Sequence, residues 1–161
     1  PVFYNFIFRL HKPSIDIKNN ALESRFKPFP LNFPQIPLKL SRKGNAVFVW
    51  DEFRNKSVVC TPEEWVRQHV AHWLVNERGI SKNRIGLEIG FELNGLSKRV
   101  DILVFDQDLQ PWLLVECKRP EVKLDDSVYQ QAVRYNLMWR VPQLMLTNGL
   151  ESQWLEVELI D

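Results

Sequence analysis

Apolar and polar residues alternate cleanly along Arg84-Ile-Gly-Leu-Glu-Ile-Gly-Phe-Glu-Leu93, a period of two that predicts a half-buried strand. Asn94-Gly95 follows as a hairpin turn signal, then the runs Lys98–Phe105 and Pro111–Lys118 complete a three-strand meander. If Gln107–Gln110 is the second loop, Asp101 in the middle strand faces Glu116 in the third. In the first hairpin Glu88 then falls opposite Asp101. The same register sets Leu103 against Leu114 and Phe105 against Trp112, and it places Leu87, Ile89, Val100, Ile102, Leu113, Val115 and Cys117 on one apolar face. A slip of one residue in either hairpin would separate the acids.

Helical periods flank the meander. Thr61-Pro-Glu-Glu64 is a start signal, with Thr61 as N-cap, Pro62 in the first turn and Glu64 closing a capping box. Val66, Val70, Trp73 and Leu74 form the buried stripe, and Gly79 ends the helix. Asp125-Asp-Ser127 caps a second helix that runs to about Arg140, with Pro142 beyond it. Gln143–Thr147 reads as a buried strand, and Asn148-Gly149 turns the chain into Gln153–Ile160. The strand–helix–strand step implies a right-handed crossover and one parallel pair. Apolar positions on both sheet faces call for a helix layer on each side. The expected fold is therefore α/β, a three-layer α/β/α sandwich with a mixed central sheet.

Ahead of this unit, Pro28, Pro30, Pro34 and Pro37 interrupt Phe, Leu and Ile residues, as in an extended arm lying on a domain surface. Ser41–Asn45 reads as a basic turn, with Ala46–Asp51 and Lys56–Cys60 as a small hairpin after it. The expected division is an arm over residues 1–45 and a domain over 46–161.

Composition adds limits. The chain has 161 residues, 45% of them hydrophobic, which suits one domain with a sizeable core. A net charge of +1 leaves any nucleic-acid surface to local clustering. Two cysteines without metal or disulfide spacing favour a reducing, cytoplasmic setting. The hydrophobic start lacks a basic region and a cleavage site, so no signal peptide is read. No apolar run approaches the roughly 20 residues a membrane helix needs, so no membrane partner is expected.

The chemistry centres on the acids. Carboxylates in apolar strands are costly without a partner, and Asp101 and Glu116 would stand with Cβ atoms about 5 Å apart. Such a pair reads as a divalent-metal site, against the plainer reading of solvated acids at a sheet end. Cys60 and Cys117 read as buried apolar side chains, and His69 and His72 as structural.

Taken in order, Glu64-Trp-Val-Arg-Gln68, Arg99-Val-Asp101, Val115-Glu-Cys-Lys118, Gln131-Ala-Val-Arg-Tyr135 and Leu146-Thr-Asn-Gly149 resemble the PD-(D/E)xK nuclease superfamily. Within it, the chain is similar to the N-terminal nuclease domain of type I restriction enzyme R subunits and stand-alone relatives, over about residues 46–160. The resemblance implies a restriction-endonuclease-like fold and a metal-dependent DNA endonuclease. Asp101, Glu116 and Lys118 would be catalytic. Asp101, Glu116 and the main-chain carbonyl of Cys117 would hold Mg²⁺, with Mn²⁺ accepted in its place. Gln131 and Tyr135, one helical turn apart, would border the site and contact DNA or support the lysine. A further acid is expected from Glu64, as the family has it, or from Glu88, as the register has it. The expected partners are DNA and, in a restriction system, motor and specificity subunits, since the chain has no Gly-x-x-x-x-Gly-Lys-[Ser/Thr] loop of its own. The alternative is a silent DNA-binding or assembly module of the same fold.

Overall fold

The computed structural model of the chain describes residues 28–158. The hydrophobic start read for targeting signals and the last residues of the final expected strand lie outside them. The elements run β1 (Leu40–Lys43), β2 (Ala46–Asp51), β3 (Lys56–Val59), α1 (Pro62–Asn76), β4 (Ile85–Leu93), β5 (Leu96–Phe105), β6 (Pro111–Cys117), α2 (Asp126–Trp139), β7 (Gln143–Thr147) and β8 (Ser152–Glu156). They form two sheets, one of β1-β2-β3 and one of β4-β5-β6-β7-β8. The fold is α/β.

In the larger sheet β4, β5 and β6 pair antiparallel, β6 and β7 pair parallel across α2, and β8 returns antiparallel to β7. Alternate residues of the central strands feed two separate cores. Ile102, Val104, Leu113, Val115 and Met145 pack with Val66, Val70, Ala71 and Leu74 of α1. Leu103, Leu114, Leu144 and Leu146 pack with Val128 and Ala132 of α2. Because neighbouring strand residues point to opposite faces, each helix covers its own face.

Both helix starts behave as the sequence indicates. Thr61 accepts a hydrogen bond from the Glu64 N–H, and Asp125 accepts from the N–H groups of Ser127 and Val128. The Glu64 side chain does not close a capping box; it turns inward to partners described below.

The meander departs from expectation at two points. The ladder joins Ile102 to Val115 and Leu103 to Leu114, but a bulge between Val104 and Phe105 sets Phe105 against Pro111 rather than Trp112. The cause is a longer turn, in which Asp106 accepts from the N–H groups of Asp108 and Gln110 and Leu109 adopts φ +58°. In β4, Glu88 lies in the left-handed region at φ +55° and drops out of the ladder, although pairing resumes beyond it in the same register. Beyond this residue the faces exchange. Leu87 and Ile102 belong to the α1 core, whereas Val100 lies in the α2 core with Ile89 packed against it. The single apolar face expected from strict alternation is therefore split at the level of the acids.

The expected basic turn also changes. Leu40–Lys43 is a strand whose partner is Ala46–Val49, so the expected division between residues 45 and 46 falls inside a hairpin. Upstream, Phe29, Leu31 and Phe33 pack on the α1 core, and the Asn32 N–H donates to the Gly149 carbonyl at 2.7 Å.

Candidate functional site

The end of the meander carrying the acids opens into a groove of about 530 Å³, lined by Glu63 and Arg67 of α1, Glu88 and Gly90 of β4, Ser97–Asp101 in part from β5, Glu116 and Lys118 at the end of β6, and Gln131 of α2. Two helices and three strands thus contribute to one concavity.

Asp101 and Glu116 are both buried, at 8% and 3% exposure. One Asp101 oxygen accepts the Cys117 main-chain N–H at 2.7 Å, which fixes the carboxylate against β6. The other pairs with the Arg67 guanidinium. Glu116 Oε1 accepts from Lys118 Nζ at 2.7 Å and from Gln131 Nε2, while Lys118 Nζ also donates to Gln131 Oε1 at 3.1 Å. Glu116 Oε2 is buried with no hydrogen-bond partner. The Lys118 N–H donates to the Thr147 carbonyl at 2.8 Å, extending the parallel ladder and holding the lysine at the groove.

Electrostatics follow from this crowding. Burial, reinforced by the charge of Asp101 and opposed by Lys118, pushes the Glu116 carboxyl up to about 8. Burial works against the Lys118 charge, but the charge of Glu116 and its hydrogen bond outweigh it and raise the ammonium. Burial and the neighbouring Asp101 raise Glu63. In Arg67, burial is likewise outweighed by the acids around it, Asp101 foremost.

The candidate residues divide accordingly. Asp101, Glu116, Lys118, Gln131 and Glu88 come together at the groove. Glu88 meets Arg67 at 3.0 Å and Arg99 at 3.1 Å. Glu64 stands behind Arg67: it binds Arg54, Gln68 and the far side of the Arg67 guanidinium, and it does not line the groove. Tyr135 is also elsewhere, packed edge-on against Phe91 with ring centroids 5.1 Å apart. The helical turn between Gln131 and Tyr135 carries the tyrosine past the groove onto the α2 core. Cys117 contributes its main chain, while burial, with the charge of Asp101 adding, drives its thiol well up.

On α1, the two groove residues Glu63 and Arg67 had no role assigned from sequence. Their spacing of four on α1 was the available signal, because it puts both on one helical face. His69 bonds the Trp65 carbonyl and His72 packs against Phe53, so both serve α1 packing.

The residues present suit a divalent cation in donor chemistry. Two carboxylates of adjacent strands meet here, and one carries a buried oxygen without a partner. Among the described residues no three His, Cys, Asp or Glu side chains are gathered as a metal cage. The guanidinium of Arg67 stands between Asp101, Glu88 and Glu63 instead.

Residues 62–159 match the family described as type I restriction enzyme R protein N terminus. No curated protein matches the chain. Among the described residues no helix is long and apolar enough to cross a membrane.

Proposed function

Since the chain belongs to the family of type I restriction enzyme R protein N termini, we propose that it is a metal-dependent DNA endonuclease domain of PD-(D/E)xK type on a three-layer α/β/α sandwich. The two helix-capped cores on alternate strand residues support the layering. The observation that carries the function is the meeting of Asp101, Glu116, Lys118 and Gln131 in one open groove, with an unpartnered carboxylate oxygen among them.

In this reading Asp101, Glu116 and the Cys117 carbonyl hold Mg²⁺ or Mn²⁺. When bound, the ion would supply Lewis-acid polarisation of a phosphate oxygen and a water of lowered pKa. Lys118, held by Glu116 Oε1 and Gln131 Oε1, would orient the attacking water and offset phosphate charge. Gln131 locks this arrangement by donating to Glu116 and accepting from Lys118. Lys98 and Arg99 on the groove wall supply cations for the DNA backbone, a contact that carries no sequence information. Sequence choice and translocation would then come from motor and specificity subunits.

Nicking of supercoiled plasmid in Mg²⁺ or Mn²⁺ tests this reading. Asp101→Asn and Lys118→Ala should each abolish it with the fold retained by circular dichroism. Nicking that survives both substitutions sinks the assignment. A silent DNA-binding module is favoured by one observation, the pairing of Arg67 with Asp101; DNA binding without metal binding or nicking would establish that second reading.

A further inference from the structure

Arg67 is the one cation inserted among the groove acids from α1, and its surroundings are unequal on its two sides. Nη1 is held by Glu64 Oε2. That carboxylate is itself fixed by Arg54 and by Gln68 at 2.8 Å, and it is 5% exposed. Nη2 faces the groove, where it meets Asp101, Glu88 at 3.0 Å and Glu63 at 3.4 Å. The Nε–H is buried and has no partner. The guanidinium is thus anchored by one fixed carboxylate behind and shared among three ahead.

We propose that Arg67 is a resident cation that occupies Asp101 and competes with the divalent ion for it, so that the site loads by exchange. The inference rests on the reading of the groove as a metal site and adds a positioning residue that sets its occupancy. Exchange requires only that Nη2 release Asp101. The buried charge of Arg67 stays neutralised by Glu64 and Glu88, so the side chain has no need to leave the interior. Asp101 keeps its orientation throughout, since the Cys117 N–H holds its second oxygen. A fixed positive charge close to a bound divalent ion weakens that ion's binding. Arg67 therefore lowers metal affinity while filling a cluster of acids that would otherwise repel one another.

The sign of this effect separates it from a plain structural role. Loss of a merely structural arginine would loosen α1 and weaken metal binding, whereas loss of a competitor tightens it. The test is calorimetric titration of metal-stripped protein with Mn²⁺, without DNA, at fixed pH and salt. Arg67→Met should bind at least about tenfold more tightly than the native chain, and Arg67→Lys, which keeps the charge, should stay within about threefold. Because Arg67→Met leaves Arg54 alone to neutralise both Asp51 and Glu64, which are buried, the double variant Arg67→Met/Glu64→Gln provides a folded form for the same titration. On the unaltered protein, the Arg67 Nε–H resonance should shift during a Mg²⁺ titration with the midpoint of the binding curve. Equal or weaker binding by both Met variants overturns the inference, as does a stationary Arg67 resonance at saturating Mg²⁺. If native protein and variants all fail to bind metal even with DNA present, the metal reading of the groove falls first and this inference with it.

Discussion

Replacing Glu116 by Gln should disable metal binding and yet make the protein more resistant to alkali. Glu116 is 3% exposed, its Oε2 has no partner, and burial followed by the charge of Asp101 pushes the carboxyl from 4.5 to about 8. The unfolded chain releases this proton near the ordinary carboxylate value, while the folded chain retains it until about 8. Folded protein therefore binds more protons across that window, and the stability tied to Glu116 is lost as pH rises through it. The slope is about 1.4 kcal/mol per pH unit, or roughly 2–3 kcal/mol between about pH 6 and pH 8. Gln has the shape of the protonated acid and no titration. The two proteins should therefore be similar in stability near pH 5, and the variant should pull ahead as pH rises. Urea unfolding in EDTA at pH 6, 7 and 8 measures the difference, with the pH dependence of groups remote from Glu116 cancelling. Adding Mn²⁺ at pH 8 should restore the native protein relative to the variant. A stability difference that stays constant from pH 6 to pH 8, or one that turns in favour of the native protein, refutes the reasoning.

Other perturbations probe separate parts of the structure. Gln131→Ala should lower nicking turnover by about tenfold or more because it removes one hydrogen-bond partner from each of Lys118 and Glu116. Tyr135→Phe, which preserves the contact with Phe91, should change it by less than about threefold in the same assay. Asp51 is fully buried and accepts from the backbone N–H groups of Phe53 and Arg54 and from the side chains of Arg54 and Gln68, so Asp51→Ala should cost about 3–5 kcal/mol in urea unfolding. Gly149→Ala should cost about 1–3 kcal/mol, since φ is +86° and an added Cβ would stand 2.6 Å from a Leu31 methyl. If Gly149→Ala unfolds at the native urea midpoint, the packing of Leu31 on that turn is wrong.

Much of the fold was legible because local signals agreed with global ones. The Thr61 and Asp125 caps, the Asn94-Gly95 turn and the alternation in β5 and β6 each fix their element within a residue or two. The approach of Asp101 to the end of β6 could be read because the register of β5 on β6 is set by the buried pairs Ile102–Val115 and Leu103–Leu114. Three things could not be read. A left-handed residue at Glu88 has no sequence signature in a Glu, and it undoes the period-two rule just where the site lies. Glu64 fits a capping box equally well in sequence; its inward turn depends on Arg54, which only the tertiary fold brings near. Arg67 stood in sequence only as a member of the Glu64-Trp-Val-Arg-Gln68 motif, and its contacts with Glu88 and Asp101 form only when strands from later in the sequence are placed against α1.

The Asp51–Arg54–Glu64–Gln68 cluster has a consequence for where this protein is cut. Its partners lie on both sides of position 62, where the match to the family begins. A fragment trimmed to that match would carry Glu64 and Gln68 into the interior with Asp51 and Arg54 missing, and it would lose Leu31 and Val49 from the apolar packing as well. The segment that relatives share and the segment that must fold together are different lengths. Expression boundaries should follow the second, starting ahead of Phe29, whose carbonyl accepts the Trp65 indole N–H.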